Sequence, residues 1–375
     1  MRLRKINICF IMVFLIAGCK GYKKYDFDFI NKSYASLEKH LLKVGLIKGN
    51  IFSLNIKPEN EIIDKIIYKP IPFPINSNEK NITILLKFKN KAKIFVVDTA
   101  GKIINEFYIK HNIRDVTFFT NLIFVSESTY LCTQRDFRVS YGLIFDNHGN
   151  VKRKIVLPLE IRIIDEFRIN NGYISALGLE QLEDTVGIPY NWVGQLYTMD
   201  SLIPVDSFGA YPVKLWYDWA LRTPMGNGPF IKYVFRNDTI WGVFSLFPIM
   251  FKHIVGSGAD MQWRIPIDNF KIPYLSPYIL NKESLRKAIK KQGWSFQYYA
   301  NLVNDSLMIV FRGYLPPYYI DFYNIKSKIP IYYGFIKIKG DWQPVCSYKE
   351  RIVLLNRKKL IKKRKIVLKF EYIKL

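Results

Sequence analysis

A chain of 375 residues that is 49% hydrophobic and 16% aromatic carries ample apolar surface for a core, which excludes an intrinsically disordered protein. Its 25 Tyr and 27 Phe, spread among many Ile and Val, favour strands. The formal charge of +25 suits anionic lipid, acidic polysaccharide or nucleic acid, and is equally the result of a lysine-rich composition that runs through the whole sequence.

The first residues read as an export leader. Arg2, Arg4 and Lys5 form a basic start, and Ile6 to Ala17 is an apolar run. That run falls short of the about 20 residues needed to span a bilayer, so residues 1–18 are read as a signal peptide and left out of the fold. Leu15-Ile16-Ala17-Gly18-Cys19 resembles the lipobox of bacterial lipoproteins. The resemblance implies cleavage before Cys19 and acylation of that cysteine, with palmitate among the chains expected. Several chains on one residue give lasting anchorage where one gives only marginal binding. Lys20 stands where some bacteria place Asp to retain lipoproteins in the inner membrane, so the resemblance implies the outer membrane. No acidic surface-export cluster follows Cys19, which favours the periplasmic face over the cell surface. Loss of Arg2, Arg4 and Lys5 would leave +22 of the +25, and an exported chain is not expected to meet nucleic acid.

Residues 19–49 are expected to be a tether and N-terminal segment. Within it, Leu37, Leu41 and Val44 recur at helical spacing before Gly45, which predicts a short helix over 34–44. Pro70, Pro72 and Pro74 forbid a helix or central strand and predict an extended connector over 62–75. From about residue 50 onward strands dominate. Ile94 to Phe107 places Asp98 and Gly101 between two apolar runs, the order a hairpin needs, because the turn must allow φ > 0. Gly142 to Ile155 repeats this unit, with Asp146 and Gly149 at the same internal spacing, and Leu196 to Phe208 is a looser copy without the glycine. Arg236 to Phe247 and Val303 to Tyr314 are related to each other: Asn-Asp at a turn, a hydroxyl residue, then an apolar strand resembling an inner strand of a blade. Repeats at this period predict small sheets in an array. The expected fold is all-β: a β-propeller over residues 50–375, with six blades and seven or eight as alternatives. One helical excursion is expected near 281–293, with Asn281 at its start and Gly293 at its stop. The tail predicts a final strand over 366–372, preceded by a basic hairpin turn over 357–365 that is either solvated or set against anionic headgroups.

Few residues carry chemistry by pattern. His40, His111, His148 and His253 form no HxH or HExxH motif, so neither a metal site nor a cofactor is indicated, and His148 reads as a solvated turn residue. Cys132 and Cys346 either pair or remain buried thiols. No GxSxG, P-loop or GxGxxG is present, so no catalytic residue is assigned. Trp216, Tyr217, Asp218 and Trp219 place three rings and a carboxylate in four residues, a composition suited to stacking on sugars. Tyr318 and Tyr319, after Leu315-Pro316-Pro317, form a second candidate. Packing within the core is the competing account of both. Thr99, Thr185, Ser201, Thr239 and Ser306 each follow Asp and precede an aliphatic residue or Ala. This tripeptide resembles an O-glycosylation sequon of exported proteins in some Gram-negative bacteria, and it equally suits turn chemistry.

Lipobox, aromatic strands and blade-like repeats together resemble the TolB-like six-bladed β-propeller lipoproteins, many of unknown function. The expected role is a non-enzymatic, lipid-anchored protein of the cell envelope that binds or scaffolds a glycan, peptide or protein partner. A periplasmic glycan hydrolase or lyase with carboxylates at the propeller centre is the alternative, and a purely structural envelope protein is a third.

Overall fold

The computed structural model describes residues 28–54, 74–88, 91–110, 118–126, 128–135, 140–156, 167–170, 173–181, 190–198, 203–210, 231–268, 270–271, 287, 290–363 and 365–374. Their strands form six sheets, each with four strands paired as an antiparallel meander. Blade 1 holds Ile75–Ser77, Asn81–Phe88, Lys91–Asp98 and Ile103–Tyr108; blade 2 holds Phe118–Ser126, Thr129–Arg135, Ser140–Asp146 and Val151–Val156. Blade 3 holds Phe167–Asn170, Tyr173–Gln181, Tyr190–Thr198 and Pro204–Phe208; blade 4 holds Ile231–Arg236, Thr239–Phe244, Ile249–Ile254 and Asp260–Arg264. Blade 5 holds Gln297–Leu302, Leu307–Arg312, Tyr318–Asn324 and Ile331–Ile338. Blade 6 takes Trp342–Tyr348, Arg351–Asn356 and Ile366–Lys374 from the C-terminal end and Gly45–Leu54 from the N-terminal side.

The first strand of each blade is innermost. Those of blades 6 and 1, 1 and 2, 2 and 3, 4 and 5, and 5 and 6 lie side by side. Between blades 3 and 4, the Ser175 and Tyr233 hydroxyls meet at 2.8 Å. The six sheets therefore make one ring, a β-propeller.

The apolar pattern explains the stacking. In Leu307–Arg312 every residue is buried, and Ile82 to Leu86 is buried throughout, because these second strands pack a neighbouring blade on each face. Outer strands meet water, and Ile103–Tyr108 and Val151–Val156 are mostly exposed. The clusters of buried side chains bridge blades: one joins blades 6 and 1, another blades 1 and 2. Polar latches tie inner strands across the gaps. The Asn76 amide donates to the Leu122 carbonyl (3.0 Å), the Tyr298 hydroxyl to that of Pro344 (2.8 Å), and the Asn301 amide to that of Ser347 (2.9 Å). Arg351 of blade 6 reaches blade 1, donating to Ser77 Oγ at 2.9 Å and to the Asn78 and Glu79 carbonyls.

The paired Asp-x-x-Gly units are the third-to-fourth-strand hairpins of blades 1 and 2, and the looser copy is the same hairpin of blade 3. Asp98 Oδ1 accepts from the amides of Ala100 and Lys102, and Asp146 Oδ1 from those of His148 and Asn150. Gly101 and Gly149 have φ of 89° and 79°, and the close approach of the preceding blade also requires glycine. A Cβ on Gly149 would overlap the Tyr108 carbonyl oxygen, and one on Gly101 the Phe52 side chain. His148 is exposed in its turn. The two Asn-Asp units begin at first-to-second-strand turns, so their apolar runs are second strands rather than innermost ones.

Two expectations are corrected. Residues 34–44 are not helical; the helix is earlier, at residues 28–33, and the segment after it is an extended strap. The strap's amides are drawn to distant carbonyls: Leu37 to Arg264 (2.9 Å), His40 to Tyr332 (2.9 Å) and Leu42 to Tyr333 (3.3 Å). Glu38–Lys39 thereby pairs in parallel with the outer strand of blade 5, and the strap runs into blade 6 at Gly45, ahead of the boundary expected at 50. Second, the basic run before the last strand is a helix, Arg357–Lys363, because Asn356 caps the Lys359 amide (2.9 Å) and Leu360 and Arg357 are buried. Of the two readings open for Cys132 and Cys346, the structure takes the unpaired one: they are separate buried thiols in blades 2 and 6. Burial raises both thiols above their ordinary range. The expected excursion is helical at 287 and 290–292 and stops, as read, at Gly293, whose φ is 75°; its expected start at Asn281 lies outside the described residues.

Candidate functional site

In a ring of meanders whose inner strands all run the same way, every blade-to-blade connection and every second-to-third-strand loop falls on one face. The short first-to-second and third-to-fourth turns fall on the other. The first is called the loop face here and the second the turn face.

At blade 5 the first strand pair continues past its ends onto the loop face. The Gly313 amide donates to the Phe296 carbonyl (2.9 Å) and the Tyr314 amide to the Trp294 carbonyl (3.1 Å). This pairing sets Trp294, at the end of the connection from blade 4, beside Tyr314, in the loop between the second and third strands. Their rings stack with centroids 4.8 Å apart and planes 23° apart. Phe296 braces both edge-on, at 5.1 Å from Trp294 and 6.2 Å from Tyr314. Phe296 is 7% exposed, whereas Trp294, Tyr314 and Leu315 are half-buried at the surface of the core. Trp294 and Tyr314 thus form a braced aromatic pair at the edge of the core on the loop face, with a geometry typical of stacked rings.

The surroundings are basic. The Ser295 amide donates to the Lys271 carbonyl (2.8 Å), and the Lys271 amide to Ser295 Oγ (2.9 Å). Lys271 is thus held beside Gly293 and Trp294: a Cβ on Gly293 would lie 2.7 Å from its Cδ and 3.5 Å from its Nζ. Lys290 and Lys291, exposed, end the short helix that leads into this pair.

A second constellation joins blades 3 and 4. The His253 ring lies between two carboxylates, with Nε2 at 2.8 Å from Asp206 Oδ2 and Nδ1 at 3.0 Å from Asp260 Oδ1. The His253 side chain is 1% exposed and each carboxylate 10%. Asp206 also accepts from the Gly256 amide (2.6 Å), and Asp260 Oδ2 from the amides of Gly209 (2.8 Å) and Ala210 (3.2 Å). Burial works against the imidazolium, but the hydrogen bonds and charges of Asp260 and Asp206 outweigh it and raise its pKa. Burial likewise opposes the Asp206 carboxylate, yet His253 and the Gly256 and Ser207 amides hold its pKa below the ordinary value. With both ring nitrogens occupied from opposite sides, this is a clasp between blades rather than an open site. Among the described residues no group of His, Cys, Asp or Glu is arranged to hold a metal ion.

The residues singled out by sequence fare unevenly. Trp216, Tyr217, Asp218 and Trp219, which follow blade 3 in the chain, lie outside the described residues; so do Cys19, Thr185 and Ser201. Tyr318 is core, 1% exposed, and burial raises its phenol. Tyr319 is half-buried beneath the Arg312 guanidinium (4.4 Å) and edge-on to Phe335 (5.3 Å). The ring of that segment that reaches the loop face is Tyr314, four residues earlier. Thr99, Thr239 and Ser306 are half-buried on the turn face, and the Ser306 hydroxyl donates to Asn304 Oδ1 (2.9 Å). Sequence reading missed Trp294 and the His253 clasp. The Gly-Trp step after the helix stop was the available signal for the first; no spacing marks the second.

No protein-family model matches the chain, and no curated protein matches it in sequence. Many solved structures resemble it, among them the following three. A Bacteroides fragilis protein named as exported shows 10% identity and a TM-score of 0.49, over 90% of this chain and 99% of that one. A luciferin-regenerating enzyme shows 8% identity and a TM-score of 0.44, over 80% and 90%. The WD40 domain of Toxoplasma gondii coronin shows 7% identity and a TM-score of 0.46, over 91% and 88%. The fold assignment rests on the chain's own strand pairing.

Proposed function

We propose that the protein is a non-enzymatic, lipid-anchored binding protein of the cell envelope, tethered through Cys19 to the periplasmic side of the outer membrane. It presents the loop face of its propeller to a glycan. The observation that carries the reading is the braced Trp294–Tyr314 pair, half-buried on that face. The anchor is supported by the lipobox resemblance of Leu15 to Cys19. The hydrolase alternative needs free carboxylates facing a ligand. The buried or nearly buried carboxylates among the described residues are committed elsewhere: Asp321 to Arg312 (2.7 Å), Asp206 and Asp260 to His253, and Glu371 to Lys369.

Two measurements test this. Intact mass of protein from the native envelope is expected to equal the chain from Cys19 plus acyl chains; an unacylated mass removes the anchor. In titrations of the mature chain against a panel of bacterial and plant glycans, Trp294→Ala is expected to weaken binding about tenfold or more, as loss of a large stacking surface does. Unchanged affinity in a folded Trp294→Ala variant removes the aromatic pair as the site.

A further inference from the structure

Building on the reading that Cys19 carries the anchor, we infer that the outer rim of blades 5 and 6 rests against an anionic lipid surface. The propeller then sits edge-on to the bilayer and keeps both of its faces open.

The tether limits which part of the body can lie near the lipid. Nine residue steps separate Cys19 from Asp28, where the described chain begins, and nine residues at full extension reach about 30 Å. From there the chain follows the rim. Ile30 of the helix at 28–33 is buried in the core. The Arg264 amide, at the end of the outer strand of blade 4, donates to the Ala35 carbonyl (2.8 Å), and Glu38–Lys39 pairs with the outer strand of blade 5. An acylated Cys19 therefore holds this rim close to the bilayer, rather than the rim of blades 1 and 2 across the ring.

What the rim exposes suits that neighbour. Val44 and Leu46 pack against the core, and the apolar residues on either side of them turn outward. Leu41 is 81% exposed, Leu42 40%, Ile47 52% and Ile51 61%; Leu41 is the most exposed large apolar side chain among the described residues. It lies over Gly334 in the outer strand of blade 5, where a Cβ would stand 3.5 Å from Leu41 Cδ2. The next residue of that strand, Phe335, is 52% exposed. Gly45–Leu54, which carries Ile47 and Ile51, is the outermost strand of blade 6. Lys43, Lys48, Lys337 and Lys374 are exposed on these same segments. The carboxylates beside the strap are occupied: Asp268 lies 3.0 Å from Lys39, and Glu38 3.4 Å from His40. Apolar tips that enter the headgroup boundary, with lysines set against the phosphates, are the two forces that hold a protein on a lipid surface. Charge also decides against a second copy as the occupant, since a two-fold pairing of this rim would oppose its lysines to their own equivalents.

The test uses the chain from residue 20, which retains every described residue and lacks the acyl chains. Its co-sedimentation is measured with vesicles of phosphatidylcholine alone and of equal parts phosphatidylcholine and phosphatidylglycerol. Binding to the anionic vesicles is expected to be at least about tenfold tighter, each lysine near the surface contributing about fivefold, and to weaken as salt screens it. Leu41→Ser/Leu42→Ser/Ile47→Ser and Lys43→Glu/Lys48→Glu are each expected to weaken it about tenfold or more. The matching changes across the ring, Ile103→Ser/Ile104→Ser/Val156→Ser and Lys102→Glu/Lys154→Glu, are expected to leave it unchanged, which separates a local surface from attraction to the overall positive charge. Equal losses on the two rims, equal binding to both vesicles, or no binding to either overturn the inference. Sedimentation of the chain as a dimer that the Leu41→Ser/Leu42→Ser/Ile47→Ser variant abolishes also overturns it, because the rim would then be covered by a second copy. Failure of the anchor reading shows separately, as an unacylated native mass, and leaves rim-dependent vesicle binding standing.

Discussion

His253 holds a carboxylate on each ring nitrogen, and two acceptors can both be satisfied only when both nitrogens carry protons. The folded protein therefore favours imidazolium, and the clasp makes stability depend on pH. A raised histidine pKa contributes stability that is complete below the ordinary value of 6.5 and is lost as pH rises through the folded value. A lowered Asp206 pKa contributes above its ordinary 3.8 and is lost as pH falls through the folded value. Melting temperature is thus expected to peak in the mildly acid range and to decline on the alkaline side through His253. His253→Ala leaves two nearly buried carboxylates facing each other. It is expected to cost about 3 kcal/mol, the low end for a broken buried pair, because backbone amides still serve both carboxylates. Calorimetric melts from pH 4 to 9 check this: the variant is expected to lack the alkaline decline, and an identical pH slope in both proteins contradicts the assignment. No sequence spacing announces the clasp, since Asp206 belongs to one blade and His253 to the next.

Hairpins were the most legible elements, because a turn is specified by its own four or five residues. Asp98 and Gly101, like Asp146 and Gly149, fix their turns by bonds inside the turn. What the sequence did not reveal is that the glycine also meets the blade before it. This separates two glycines of similar backbone. Gly149 has φ of 79° and the Tyr108 carbonyl where a Cβ would lie; Gly256 has φ of 82° and open space. Gly256→Ala is expected to cost about 1–2 kcal/mol, the strain of a left-handed residue. Gly149→Ala is expected to cost about 2–5 kcal/mol, because overpacking against backbone adds to that strain. Urea unfolding of the two variants decides the matter; equal losses would mean that the turn alone, and not the contact between blades, sets the requirement. The strap over 34–44 misled for the opposite reason. Leu37 and Leu41 stand four apart as in a helix, but only Leu37 is buried while Leu41 is 81% exposed, and the backbone bonds go to residues more than 200 positions away. Tertiary pairing overrides a weak local period.

At the scale of the whole molecule, the ring is closed by pairing Gly45–Leu54 with Ile366–Lys374, so blade 6 depends on both ends of the described chain. Repeating apolar runs and turns made the propeller legible from sequence. The sites are less so, because a face is assembled from loops that the sequence keeps apart. Along the chain Trp294 reads as the end of a helix, and Tyr314 as the end of a strand unit; only the extended pairing at blade 5 brings them together. The same geometry withdraws Tyr318 into the core, although its neighbours Pro316 and Pro317 are exposed. It also divides labour between the faces: half-buried rings with lysines on one, and tight Asp- and Asn-capped turns on the other. The account is tested most directly by hydrogen exchange of the mature chain with and without saturating amounts of a glycan bound in the panel titrations. The expected result is slowed exchange at the amides of 290–296 and 313–315, with the turn-face residues 98–102, 146–150 and 304–307 unchanged; protection confined to those turns, or no protection on the loop face of blade 5, would contradict it.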